Sequence, residues 1–188
     1  QTASLIRASG DISNSTFVGN IARTGLGGAM NLQGSGGLVL QNLTIAANVA
    51  QCDVCFAGGI SNGAGLAITM RNTIFLGNTR GNPWNPWAIL NPVSGSNNMQ
   101  WPQIRPVSNQ VEAAVTPGSS FADAQLATIA NNGGLTETMA LLSASPAINA
   151  GTANGAPAAD QRGQPRYGAV DIGAYEAQPD LIFRQGFE

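Results

Sequence analysis

Histidine and lysine are both absent from this 188-residue chain. Without histidine there is no His-based catalytic triad and no imidazole metal ligand, and without lysine there is no amine base or Schiff-base former. Charge is scarce too: 10% of residues are charged, against the usual quarter, and the net charge is −2. The eight arginines are scattered and form no basic stripe, so nucleic acid is not an expected partner. In the first hundred residues the only acids are Asp11 and Asp53, which leaves no carboxylate pair for glycoside hydrolysis there. No apolar run approaches the length of a membrane span, and Gln1-Thr-Ala-Ser lacks the basic and apolar regions of a signal peptide. The chain enters a repeat pattern almost at once, so upstream residues are expected to have been cleaved or cut away. No Gly-Gly-x-Gly-x-Asp calcium repeat occurs, and no ladder of Thr-x-Thr.

What is present is Gly, at 24 residues, together with much Asn, Ser, Thr and Gln, and a 43% hydrophobic fraction ordinary for a soluble protein of one or two small domains. Such a neutral, Asn- and Ser-rich surface is commoner outside the cell than within it. Three stretches repeat: Asn14-Ser-Thr-Phe-Val-Gly-Asn20, Asn42-Leu-Thr-Ile-Ala-Ala-Asn48 and Asn72-Thr-Ile-Phe-Leu-Gly-Asn78, in steps of 28 and 30 residues. A second unit, Gly27-Gly28-Ala29-Met30 and Gly58-Gly59-Ile60-Ser61, runs in phase at a spacing of 31. Periods of this size mark a solenoid, whose repeats bury their apolar faces only by stacking.

The side-chain pattern identifies the kind of solenoid. Two residues before the first Asn the position is apolar (Ile12, Leu40, Met70), and one before it is polar (Ser13, Gln41, Arg71), which is the period-2 alternation of a half-buried strand. The next strongly apolar column comes three residues after the Asn (Phe17, Ile45, Phe75), out of phase with the strand before it. The chain must therefore bend at the Asn, a residue that visits left-handed backbone more easily than most. The expectation is an all-β, right-handed parallel β-helix of about four to five coils, with Asn14, Asn42 and Asn72, and likewise Asn20, Asn48 and Asn78, stacked as structural columns and strands rising ~4.8 Å per coil. Residues 1–100 hold the coils, residues 101–125 read as an irregular linker, residues 126–178 as a C-terminal cap, and residues 179–188 as a tail. Ser119-Ser-Phe-Ala-Asp123-Ala-Gln-Leu-Ala-Thr-Ile-Ala130 reads as one short helix, with Ser at its start and Asn131-Asn132-Gly133 as its stop.

Two insertions interrupt the rhythm. Cys52 and Cys55, the only cysteines, have Cys-x-x-Cys spacing; two thiols are half a zinc site and no βαβ pattern surrounds them, so a small disulfide of an oxidising compartment is the expectation over a redox or metal site. Trp84 and Trp87, in Asn-Pro-Trp-Asn-Pro-Trp, either stack on sugar rings or fold back over the solenoid's flank. Near the C-terminus Arg162 is expected to form a structural ion pair with Asp171 or Glu176, with Asp160 close by; a metal or catalytic role for these carboxylates is the alternative.

Residues 126–176 also resemble the C-terminal signature of bacterial choice-of-anchor Q domain proteins, in Asn132-Gly133-Gly134, Thr136-Glu-Thr138, Ser145-Pro-Ala-Ile-Asn149-Ala-Gly151, Asp160-Gln-Arg-Gly163 and Asp171-Ile-Gly-Ala-Tyr-Glu176. Asn149 replaces the usual Asp of that pattern and Leu135 a frequent Pro. The repeats are similar to the Phe-x-x-Asn and Gly-Gly-Ala-Ile repeats of polymorphic outer-membrane-protein β-helices. These resemblances imply a large secreted or surface-attached bacterial protein with a right-handed β-helical passenger, and they carry no catalytic residues over. The end, Ile182-Phe183-x-x-Gly186-Phe187-Glu188, resembles a tail found on exported proteobacterial proteins and reads as a sorting or docking element. The functional expectation is a structural, adhesive or display module at the cell surface or outside the cell, with no cofactor or metal. Its expected partners are a polysaccharide or host surface, and an upstream part of the same protein or further copies end to end. The alternative is a carbohydrate-binding or polysaccharide-degrading β-helix.

Overall fold

The computed structural model describes residues 9–63, 65–80, 82 and 84–178; the tail expectation on residues 179–188 lies outside them. The chain is a parallel β-solenoid of about three turns. The first turn contains β1 (Gly10–Val18), β2 (Ile21–Ala22) and β3 (Met30–Leu32). The second contains β4 (Gly36–Ala46), β5 (Val49–Ala50) and β6 (Ile60–Asn62). In the third, the strand equivalent to β4 is divided into β7 (Leu66–Arg71) and β8 (Ile74–Leu76), followed by β9 (Thr79–Arg80). A shortened turn begins with β10 (Ser94–Ser96) and β11 (Met99–Trp101), and β12 (Ser120–Phe121) pairs with β11.

All strand pairs are parallel, and the register follows the sequence repeat: Ile12↔Leu40↔Met70 before the Asn, and Phe17↔Ile45↔Phe75 after it. Between those columns Asn14, Asn42, Asn72 and Asn97 adopt φ of 46°, 51°, 50° and 53°. That left-handed residue swaps the strand's two faces, which is why the inward column changes phase while the strand goes on. The core inside the coils holds Leu40, Leu43, Ile45, Ile60, Met70 and Phe75, all at most 1% exposed. Gly28 lies so close to the next turn that a Cβ on it would overlap the Gly58 carbonyl, so this face stacks only if the position carries no side chain.

The segment read as an irregular linker closes the end of the solenoid. Val115 is fully buried in the main core and its carbonyl accepts from the Val93 N–H at 2.9 Å. The buried Gln100 side chain accepts from the Val115 N–H at 2.7 Å and donates to the Ala113 carbonyl at 2.9 Å. Glu112 accepts from the Trp87 and Ala88 N–H groups at 2.9 and 3.5 Å and pairs with Arg105 at 2.8 Å, supplying the acceptors that another turn would have provided.

The short helix expected over residues 119–130 is absent, and the described residues contain no helix at all. Ser120 donates instead to the Asn98 carbonyl, Gln125 takes φ of 49°, and Ala127 and Ala130 donate to the carbonyls of Ala140 and Thr138. Asp123 accepts from the Gln125 N–H at 2.8 Å, a local turn that competes with helix for the same residue type.

Candidate functional site

Outside the coils, the column one step beyond Leu43 and Thr73 faces away from the core: Thr16, Thr44, Ile74 and Met99 lie side by side in register. Residues 124–177 cover it. Ile74 and Met99 form a second apolar core with Ala124, Leu141, Ala147 and Ile172. Gly173, at φ 112°, sits where a Cβ would fall 2.8 Å from the Ile74 Cδ1, so the chain can lie flat on the sheet. The expected end cap is therefore a strap laid along the flank, parallel to the axis, touching every turn.

The corner asparagines hold this strap. Asn14 donates to the Ala159 carbonyl at 2.7 Å, Asn42 to the Asp171 and Gly173 carbonyls at 3.2 Å each, Asn72 to the Thr152 carbonyl at 2.8 Å, and Asn97 to the Ala150 carbonyl at 3.0 Å. Asn72 also donates to the Asn42 Oδ1 at 3.3 Å, but Asn14 does not join that pair. The continuous ladder is the other column. Asn20 donates its backbone N–H and Nδ2 to the Asn48 Oδ1 at 3.1 and 2.8 Å, and Asn48 donates in the same two ways to the Asn78 Oδ1 at 3.1 and 2.9 Å.

The charged cluster sits on the strap. Arg162 pairs with Asp160 at 2.7 Å, and it reaches Glu176 only through that residue's backbone carbonyl. The expected pairing of Arg162 with the Asp171 or Glu176 carboxylate is thus replaced: the cation of Glu176 is Arg166, at 2.7 Å. Sequence reasoning missed it because two arginines flank the turn at Gly163, and the backbone path decides which one faces inward. Arg166 also donates to the Asn14 Oδ1 at 2.9 Å, linking the cluster to the first turn.

The carboxylates are fully engaged. Asp160 accepts from the N–H groups of Arg162, Gln164 and Glu176. Asp171 accepts from Asn149 and Ala177 at 2.7 and 2.6 Å, and Glu176 from Tyr167 and Asp171 at 3.2 and 3.0 Å. Burial pushes the carboxyls of Asp171 and Glu176 above their ordinary range, against the lowering from those hydrogen bonds and from Arg166. Each carboxylate oxygen of the three accepts from a backbone N–H or a guanidinium. Among the described residues no group of His, Cys, Asp and Glu could hold a metal ion.

Trp84 and Trp87 part company. Trp84 is 69% exposed, whereas Trp87 is 8% exposed, with its backbone N–H donating to Glu112. The pair therefore offers one exposed ring, not two stacking platforms. Cys52 and Cys55 form a disulfide that pinches the loop beside Leu26, whose carbonyl accepts from the Phe56 and Ala57 N–H groups. A further missed residue is Arg80, which continues the inward column of Ala22 and Ala50. It is 7% exposed, its two terminal nitrogens have no hydrogen-bond partner, and burial and the nearby Arg105 lower its pKa. Among the described residues no helix is long and apolar enough to cross a membrane.

Comparison with known proteins yields no matching family model, curated protein or solved structure.

Proposed function

We propose that this chain is the closing unit of a larger, secreted or surface-attached bacterial β-helix protein, serving as a structural, adhesive or display module of the choice-of-anchor Q type. The observation that carries the reading is the asymmetry of the two ends. After β11 the end is sealed by Glu112, Gln100 and Val115, whereas among the described residues no strand pairs with the outer edge of β1. At that edge Ile12 and Phe17 are only partly buried, although their counterparts Leu40 and Ile45 are fully enclosed. An open edge of this kind is a template for another strand, and a further parallel coil of the same protein matches its register. With the shortened turn at β10 and β11 counted, the solenoid of this chain approaches four coils, wound right-handed as parallel crossovers are. The sealed end argues against repeated end-to-end assembly of identical copies.

The disulfide supports an oxidising, extracellular setting. The spent carboxylates of Asp160, Asp171 and Glu176 support a role without turnover. The test is to export the chain behind a secretion signal with its upstream coils, label intact cells at an engineered surface tag, and incubate the purified protein with neutral and acidic polysaccharides. Surface labelling without new reducing ends or unsaturated products is the expected result. Turnover of any polymer would overturn the structural assignment, and retention inside the cell would overturn the location.

A further inference from the structure

Beside the strap's charged cluster a cleft of about 590 Å³ opens among Leu141, Ser143, Asn149, Tyr167, Tyr175 and Gln178. Its size falls within the ~300–1,000 Å³ range of small-molecule sites. Two aromatic rings line it. Tyr167 is 49% exposed. Tyr175 is held from one side by the Arg162 guanidinium, 3.6 Å from its ring centroid, and Arg162 is itself fixed by Asp160. The position of that ring is therefore set before any ligand arrives, which lowers the ordering cost of binding.

The polar groups of the cleft are neutral and available. The Ser143 hydroxyl, the Asn149 side-chain amide and both phenol hydroxyls carry no internal hydrogen bond, and no ionised side chain lines the walls. The nearby Asp171 and Glu176 are buried and accept from backbone N–H groups, and the Arg166 side chain is turned to Glu176 and Asn14. Aromatic faces for C–H surfaces, together with amides and hydroxyls for scattered hydroxyl groups, match a sugar ring. The absence of a lining cation leaves nothing to compensate the desolvation of a uronate or phosphate.

We propose that this cleft is a binding site for neutral polysaccharide, with Tyr167 and Tyr175 as stacking surfaces and Ser143, Asn149 and the side-chain oxygen of Gln178, whose nitrogen already donates to the Pro165 and Glu176 carbonyls, as hydrogen-bonding partners. It stands apart from the sealed-end observation behind the closing-unit reading. It also places sugar recognition on the strap, not at Trp84.

The test is titration calorimetry of the full chain with laminarin, xylan, galactomannan and arabinogalactan, using polygalacturonate and alginate as charged comparators. Saturable binding to at least one neutral polymer is expected. It should weaken tenfold or more in Tyr167→Ala and in Ser143→Trp, which fills the cleft from its exposed rim, and should be unchanged in Trp84→Ala. Thermal midpoints close to that of the unaltered chain keep the two cleft variants interpretable. Tyr167→Phe, which keeps the ring, should retain most of the affinity. Absence of binding to every neutral polymer, stronger binding to the charged ones, or affinity insensitive to both cleft substitutions would overturn the proposal.

Discussion

Asn72 and Thr152, 80 positions apart, exchange two hydrogen bonds: the Thr152 N–H donates to the Asn72 Oδ1 at 2.8 Å, and the Asn72 Nδ2 donates to the Thr152 carbonyl at 2.8 Å. The side-chain amide thereby stands in for a strand neighbour, satisfying both backbone groups of a strap residue that has no ladder of its own.

Asn72→Ala should destabilise the protein by about 2–4 kcal/mol, from the lost hydrogen bonds with Thr152 and Asn42 and a left-handed backbone that alanine disfavours. Asn72→Gly removes the same bonds but accepts the φ of 50°, and should recover about 1 kcal/mol of that loss. Urea unfolding of both variants checks this; equal losses would show that backbone strain contributes nothing at this corner.

Arg166→Met should cost about 3–5 kcal/mol at neutral pH, because it strands the fully buried Glu176 carboxylate without its cation. Glu176→Gln should cost less, since burial already favours the uncharged form of this side chain. Denaturant midpoints decide the order, and a larger loss in Glu176→Gln would contradict it.

Stability should rise, not fall, as pH is lowered from neutral towards the ordinary carboxylate range. The carboxyls of Glu112, Asp171 and Glu176 are all raised, chiefly by burial. A raised folded value means that the native state holds these protons more tightly than the unfolded chain. Their contribution is therefore full below the ordinary carboxylate range and is lost as pH climbs through the raised values. Calorimetric midpoints across this window test the sign, and the penalty in Arg166→Met should shrink towards the acid side.

Arg80→Met is expected to leave stability unchanged or to raise it by about 1–3 kcal/mol, because an apolar chain of similar length replaces a buried charge whose terminal nitrogens have no partner. A clear loss in thermal unfolding would mean that the guanidinium finds compensation inside the coil.

The coils were legible because their signal is local. Alternation around Leu40 and Met70, and the phase change at Phe17, Ile45 and Phe75, follow from a period-2 strand with one left-handed residue, and each can be counted along the chain. The strap was not legible in the same way. Its contacts run to residues far away in sequence, and its own backbone makes only isolated bridges, such as Leu126↔Leu141 and Ala130↔Thr138. The helix expectation failed at Ser119 and Asp123 because the residue types that cap helices also close turns. Glu112 and Arg105 went unnoticed inside an aperiodic stretch, where only the missing next turn explains a buried ion pair.

The strap also sets the order in which the molecule can be finished. Coils that touch only their neighbours can form as the chain emerges, but Asn14 meets Ala159 across 145 positions and Arg166 across 152. Contacts so distant in sequence bear a large loop-closure cost before they give anything back, which slows folding. The first turn should therefore acquire its outer layer last, once nearly the whole chain is available, and until then its Thr16, which bonds Gln161 across 145 positions, stays bare.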